Sequence, residues 1–212
     1  MAQNDVIDQV TGSRAARGAA ARERVVRSAL QAYATNGYAG SSLAGIAAAA
    51  GLTNAGLLHH FPSKEELLVA VLQERDRVDG ERFHLRGFVG LEALDALVQL
   101  VEANTATPGL VRAFTVLMGE SAGEDHPAGR WFRERYPRRR DNIAAALRAG
   151  IDRNEIRSDT DCDAVAAEII AMIDGLQVQW VLDPERVDMA RLFAHYIGTV
   201  RRAVQVTVDQ SP

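Results

Sequence analysis

The chain has 212 residues, 47% of them hydrophobic and 25% charged, which is enough for one sizeable core or for a small module fused to a medium-sized domain. Its single cysteine, Cys162, excludes an internal disulfide and suits a reducing, cytoplasmic setting. The opening "MAQNDVIDQVTGSR" carries acidic residues and no apolar stretch, which argues against a secretory signal, and no run approaches the ~18 apolar residues of a membrane span, so no membrane partner is expected.

The net charge of −4 hides an asymmetry. Between Ser13 and Lys64 there are five Arg and one Lys against one Glu, a net +5, so the remainder carries −9. A basic first quarter on an acidic body aims one end of the molecule at a polyanion. Abundant Ala, Leu, Arg and Glu with few strand-like alternations predict an all-α protein.

In chain order, residues 1–12 are polar and aperiodic and read as a disordered tail. From Ser13 to Asn36, Val25, Val26, Ala29, Leu30 and Tyr33 recur at helical spacing, with Asn36-Gly37 as the stop. Ser41 and Ser42 offer an N-cap to the short helix "LAGIAAAA", which Gly51 ends. Thr53 caps a second short helix through His60, Phe61-Pro62 breaks it, and Ser63-Lys64-Glu65-Glu66 is a capping box that opens a long helix to about Asp79. Two short helices joined by a Gly-containing turn have the form of a helix-turn-helix, and small Ala44, Gly45, Ala47 and Ala48 let the pair cross closely.

Beyond Gly90 come helices parted by Gly and Pro: "LEALDALVQLVEAN", then "GLVRAFTVLMGES" after Pro108, then a run from His126 to Gly150 in which Pro137 predicts a kink or a break. Asp163–Leu182 and Glu185–Val206 are the last two, separated by Asp183-Pro184. The division expected is a tail over 1–12, a three-helix helix-turn-helix module over 13–62, a connecting helix over 63–80, and a helical bundle over 81–212.

The run "GYAGSSLAGIAAAAGLTNAGLLHHFPSKEELL", Gly37 to Leu68, closely resembles the DNA-binding signature of TetR-family transcriptional regulators. The resemblance implies a homodimer that sets paired modules into successive major grooves of a near-palindromic operator on double-stranded DNA, with half-sites ~34 to 36 Å apart. It also implies that 13–62 is the DNA-binding domain and 81–212 the effector-binding and dimerisation domain, with a small-molecule effector; no cofactor is expected. Position by position, Ser41 and Ser42 match hydroxyl residues that meet a phosphate, Thr53 to His60 match the recognition helix, and Lys64 matches a phosphate-contacting lysine.

From Ser28 to Ser63 there is no charged residue, so the grip there falls to hydroxyls, amides and imidazoles, with Arg14, Arg17, Arg22, Arg24, Arg27 and Lys64 supplying charge from the flanks. Thr53, Asn54, Ala55 and Gly56 are the candidate base readers; Asn54 suits a bidentate contact to adenine and Thr53 or Ala55 a thymine methyl. Where the family usually carries Tyr, this chain has Leu58, which removes one hydroxyl and makes His59 the substitute contact; Leu58 then packs inward or against a sugar.

In the body, Phe83, Phe88, Phe114, Leu117, Met118, Trp131, Phe132 and Tyr136 are candidates for lining an effector cavity, whose occupant would have substantial apolar character. Asp174, among Ile169, Ile170, Ile173 and Leu176, either meets a cationic effector or pairs with an Arg, the commoner use. Gln177 and Gln179 suit a rim or a dimer face. The dimer stripe is read as Val165, Ile169, Ile173, Leu176 and Trp180 with Leu192, Phe193, Tyr196, Ile197 and Val200, although an intramolecular core would leave a similar pattern.

No Gly-rich phosphate loop, metal-spaced His/Cys set or nucleophile with an identifiable base is present, and Glu120, Asp125 and His126 read as a solvated turn, so the chain is not expected to be an enzyme. The function expected is a ligand-responsive DNA-binding regulator, most simply a repressor released from its operator by the effector; the alternative is a helical small-molecule-binding protein with weak or lost DNA binding.

Overall fold

Local signals set most helix ends. The Ser42 hydroxyl accepts from the Gly45 amide at 3.1 Å, Thr53 does the same for Gly56 at 3.1 Å, and Ser63 for Glu66 at 3.1 Å. Each satisfies a donor that the first helical turn leaves open. Gly51 follows its helix at φ +71°, a left-handed conformation that glycine adopts without a Cβ penalty.

The computed structural model describes the backbone of residues 2–83, 87–123 and 125–206, with side chains over 16–77, 87–123 and 125–206. The Arg14 and Phe83 side chains therefore lie outside the described residues. Among the described residues the chain forms nine α-helices: α1 (Ala2–Asn36), α2 (Leu43–Ala49), α3 (Asn54–His60), α4 (Lys64–Phe83), α5 (Leu91–Thr105), α6 (Pro108–Glu120), α7 (Gly129–Asp152), α8 (Cys162–Leu182) and α9 (Met189–Val204). Helix α1 thus starts well ahead of Ser13. It holds no proline, and its glycines, Gly12 and Gly18, each cost only about 1 kcal/mol relative to alanine, so nothing in the sequence forces a stop before the N-terminus.

Two apolar cores form. The first joins Val25, Val26, Ala29 and Tyr33 of α1 to Ile46, Leu57, Phe61, Leu67, Leu68, Val71 and Leu72, and continues into the body through Phe114, Leu117, Ala128 and Phe132. The second holds Leu94, Leu97, Leu100 and Val101 of α5 with Ala144 and Leu147 of α7, Ala166, Ile169 and Leu176 of α8, and Phe193, Ile197, Val200 and Val204 of α9. Gly90, at φ +61°, lets the start of α5 pass so close to Gly150 that a Cβ on Gly150 would lie 2.6 Å from the Gly90 Cα. After α9 the chain is pinned to the α7–α8 loop by Val206 N–H donating to Glu155 O at 3.0 Å and Arg157 N–H donating to Val204 O at 2.8 Å.

Two sequence readings change. Pro137 does not break its helix: α7 runs through it, because Pro137 and Arg133, whose carbonyl loses its usual donor, both face solvent. Helix α8, with mean hydropathy 1.4 over 18 residues, is long and apolar enough to cross a membrane by length and composition, although no such run stood out in the sequence. It nevertheless carries Glu168 and Asp174 in its interior, and only 22% of that window is buried in the protomer, so much of its apolar surface lacks an intramolecular partner.

Candidate nucleic-acid interface and effector cavity

Helix α3 is anchored by Leu57, which is fully buried, and this turns its remaining side chains outward. Thr53, Asn54, Ala55, Leu58 and His59 are exposed, while Gly56 and His60 are half-buried. The His59 and His60 rings meet edge to face, centroids 5.5 Å apart. Leu58 neither packs inward nor leaves the surface: it is 36% exposed, one of the few large apolar side chains left in solvent.

The two serines part company. Ser42 is exposed and caps α2, whereas Ser41 is buried and donates its hydroxyl to Gly37 O at 2.8 Å. Its hydroxyl is used inside the turn, which removes Ser41 from the expected phosphate contacts and leaves Ser42. Lys64 places Nζ 4.3 Å from the Tyr38 ring centroid, and the exposed Arg22 places its guanidinium 4.8 Å from that of Phe61; both cations are held against aromatic faces at the edge of the module. The Tyr38 hydroxyl donates to Glu65 at 3.1 Å, and burial, with that carboxylate's help, pushes it up to about 12.

The same turn is tied to the body. Tyr38 N–H donates to Glu120 Oε2 at 2.9 Å, and His126 Nε2 lies 3.6 Å from that oxygen. The Tyr38 and His126 rings meet edge-on at 5.2 Å. Glu120 and His126, read from sequence as a solvated turn, are thus part of the joint between DNA-binding module and body.

The predicted cavity residues scatter. Leu117 and Trp131 belong to the first core, with Trp131 packed edge-on against Phe132 and Phe114; this is a structural joint and lines no cavity described below. Met118 and Phe132 border an open depression beside Pro137. Phe88 flanks an apolar cleft between α5 and α7 with Ala93, Leu97, Ile143 and Ala146.

Phe114, Tyr136 and Asp174 do share one narrow cavity, about 40 Å³, and there they meet Arg75, Asn104, Leu100, Arg135, Arg139, Ile170, Ile173 and Gln177. Asp174 accepts from the Tyr136 hydroxyl at 2.7 Å, so its hydrogen-bond partner is a tyrosine where an arginine was expected. Burial pushes the Asp174 carboxyl above its usual range, opposed by the Tyr136 hydrogen bond and by Arg135, Arg139 and Arg75 through space. Burial first, then the Asp174 carboxylate, raises the Tyr136 phenol well above its ordinary value.

Sequence reasoning missed the arginines and Asn104 and left Gln177 as a rim or dimer residue. A signal was present: Leu68, Leu72 and Arg75 follow at four- and three-residue spacing, and so do Phe132, Tyr136 and Arg139, which places each cation on a core-facing stripe.

The dimer stripe needs sorting as well. Ile169, Leu176, Phe193, Ile197 and Val200 are buried within the protomer, in the second core, because α8 and α9 first pack on α5 and α7. Val165, Ile173, Trp180, Leu192 and Tyr196 remain only partly buried, and Leu182 is 78% exposed.

A helix-turn-helix head joined by one long helix to a helical body with a buried polar cavity defines a class, that of DNA-binding transcriptional regulators. Residues 25–71 match the model of the tetR family of bacterial regulatory proteins, and residues 92–204, just over half of the chain, match that of the C-terminal domain of BetI-type transcriptional repressors. The chain belongs to the TetR family of transcriptional regulators.

Among solved structures it is similar to a TetR transcriptional regulator from Chloroflexus aurantiacus, at 27% identity and TM-score 0.76 over 90% of this chain and 99% of that one. A putative transcriptional regulator from Saccharomonospora viridis, in complex with choline, shares the fold at 24% identity and TM-score 0.72, covering 88% and 98%. So does SmeT of Stenotrophomonas maltophilia, in complex with triclosan, at 19% identity and TM-score 0.76, covering 91% and 95%. No curated protein matches the chain.

Proposed function

We propose that this regulator is a cytoplasmic repressor that holds a near-palindromic operator as a homodimer and releases it when a small molecule enters the body. The observation that carries this reading is the position of the Arg75 cavity. It lies where the two cores meet, with Phe114 from the first and Leu100 of the second on its walls and Arg75 supplied by α4, the helix that leads out of the DNA-binding module. A cavity of about 40 Å³ holds little more than one water, so an effector has to part α4, α7 and α8 to enter. Binding then favours the arrangement in which the cores sit further apart, and the population follows the difference in affinity.

Asn54, Thr53, Ala55 and Gly56 take base reading in this proposal, His59 replaces the family's tyrosine, and Ser42, Arg22 and Lys64 meet phosphates. Residues 13–62 act as the reading head, 63–80 as the connector and 81–212 as the effector and dimer body. The dimer face is the exposed remainder of the α8–α9 stripe, Val165, Ile173, Trp180, Leu192 and Tyr196, extended by Leu182. The choline and triclosan held by two relatives support a small-molecule occupant, and the Phe88 cleft supports one with an apolar portion.

The test is footprinting of the purified protein on the DNA flanking its own gene at two salt concentrations. Protection of a palindrome that weakens with salt is expected, and Lys64→Ala should lower the slope of log affinity against log salt by about 1. Absence of protection there and in selection from random DNA would instead identify a small-molecule-binding protein without DNA affinity.

A further inference from the structure

A carboxamide taken out of water costs free energy unless its oxygen and its nitrogen both find hydrogen bonds. Gln177 of α8 stands on the wall of the Arg75 cavity and is only 3% exposed, and its amide oxygen is buried with no hydrogen-bond partner among the described residues. Its neighbours on that wall include Leu100, Phe114, Ile170 and Ile173, all apolar, so a methionine would occupy the position without this cost. A buried acceptor retained at the expense of stability is what a ligand site requires and a packed core does not.

The charged groups around Gln177 are held by the protein itself. Asp76 lies 2.9 Å from Arg135 and 3.6 Å from Arg139, Arg75 places its guanidinium 5.2 Å from the Phe114 ring centroid, and Asp174 accepts from the Tyr136 hydroxyl at 2.7 Å. Charges of both signs therefore border the cavity, so a charged ligand would meet a like charge and would have to give up its hydration as well. A neutral head group incurs neither cost. Asn104, 5% exposed, brings a second carboxamide to the same cavity from α5. The space itself, about 40 Å³, suits one hydroxyl or small amide group. Arg139 is a wall shared with the apolar cleft beside Leu97, Ile143 and Ala146, which offers room for the remainder of such a molecule.

We propose that the effector is a neutral molecule with an apolar body and a hydroxyl or primary amide head, whose O–H or N–H donates to Gln177 Oε1. The proposal rests on the regulator reading and names the chemistry of the effector site. A hydroxyl or a primary amide also accepts, so the same head can take a hydrogen bond from the second carboxamide, that of Asn104.

The full-length protein is tested by calorimetry and thermal shift against straight-chain alcohols from butan-1-ol to octan-1-ol, benzyl alcohol and the matching primary amides. Each is set beside its methyl ether or N,N-dimethylamide, which lack the donor, with the matching carboxylate and ammonium as charged controls. At least one donor-bearing compound should bind saturably, roughly tenfold or more tighter than its donor-free partner and than either charged control. Gln177→Met, which keeps the length of the side chain and removes the amide oxygen, should bring that preference below about threefold and raise the melting temperature of the free protein. Gln179→Met, at an exposed position of the same helix, should leave the preference as it is in wild type. The proposal is overturned if the donor-free compounds bind as well, if the carboxylate or the ammonium binds in their place, if no alcohol or amide binds, or if Gln177→Met keeps the wild-type preference. Should Gln177→Met melt lower than wild type or not fold, the oxygen serves the core and the proposal fails as well. A footprint without alcohol or amide binding sinks only this proposal; such binding without any footprint sinks the regulator reading and leaves the Gln177 site standing.

Discussion

The two cores differ in what they join. The second is confined to the body, where α5, α7, α8 and α9 bury Leu97, Leu147, Ile169 and Phe193 against one another. The first crosses from head to body, placing Phe114, Leu117 and Phe132 in the same apolar mass as Val25, Tyr33 and Leu57. A head packed this way is not a module on a flexible tether. A displacement of the start of α7 or α6 against α4 therefore reaches the apolar mass that seats α3, and the Arg75 cavity lies beside that mass.

The largest test of this difference uses one deletion in each core. Phe132→Ala and Leu147→Ala should each destabilise the protein, by about 3–5 and 2–5 kcal/mol respectively in denaturant titration. Their effects on the folded protein should then diverge: Phe132→Ala should also weaken operator binding at temperatures where it remains folded, and Leu147→Ala should not. Equal DNA affinity in the two variants would mean that the shared core does not couple head to body.

Within the head, Asn54→Ala should lose about 1–3 kcal/mol of discrimination at one base position while non-specific affinity stays, which a binding-site selection resolves. An unchanged preference removes Asn54 from the reading set. At the joint, Glu120→Ala deletes the acceptor of the Tyr38 amide, a charged but partly exposed contact, and should cost about 1.5 kcal/mol. Its sharper readout is operator affinity relative to stability, since the Tyr38 turn leads directly into α2.

How much of this was legible in the sequence follows from the range of the forces involved. The caps at Ser42, Thr53 and Ser63, the glycine stop at Gly51 and the apolar periods are local, so the helices and the outward face of α3 could be read directly. Which apolar stripe meets which partner is set over long distances. Trp131 and Phe132 could not be told apart from cavity lining, nor Phe193 from a dimer contact, because core, cavity and interface all require the same periodicity. Ser41 and Ser42 illustrate the limit at one-residue resolution: both suit a cap, and only the backbone path sends one inward. The arginines were the readable signal left unused, since a cation on a core stripe has to find a counter-charge or a ligand.

The smallest expected effect is the most diagnostic for the cavity. Burial raises the Asp174 carboxyl above its usual range, against the lowering influence of Tyr136 and three arginines. A carboxyl that binds its proton more tightly in the folded than in the unfolded state stabilises the fold while protonated, and that contribution is lost as pH rises through the folded value. Asn at the same position still accepts from the Tyr136 hydroxyl and carries no charge to desolvate. Asp174→Asn should therefore match wild type in melting temperature near the ordinary carboxylate value, about pH 4, and exceed it increasingly toward neutral pH. A melting gap that stays flat or closes with rising pH would mean that the arginines, and not burial, govern this carboxylate, and that Asp174 is a counter-ion the cationic cluster depends on.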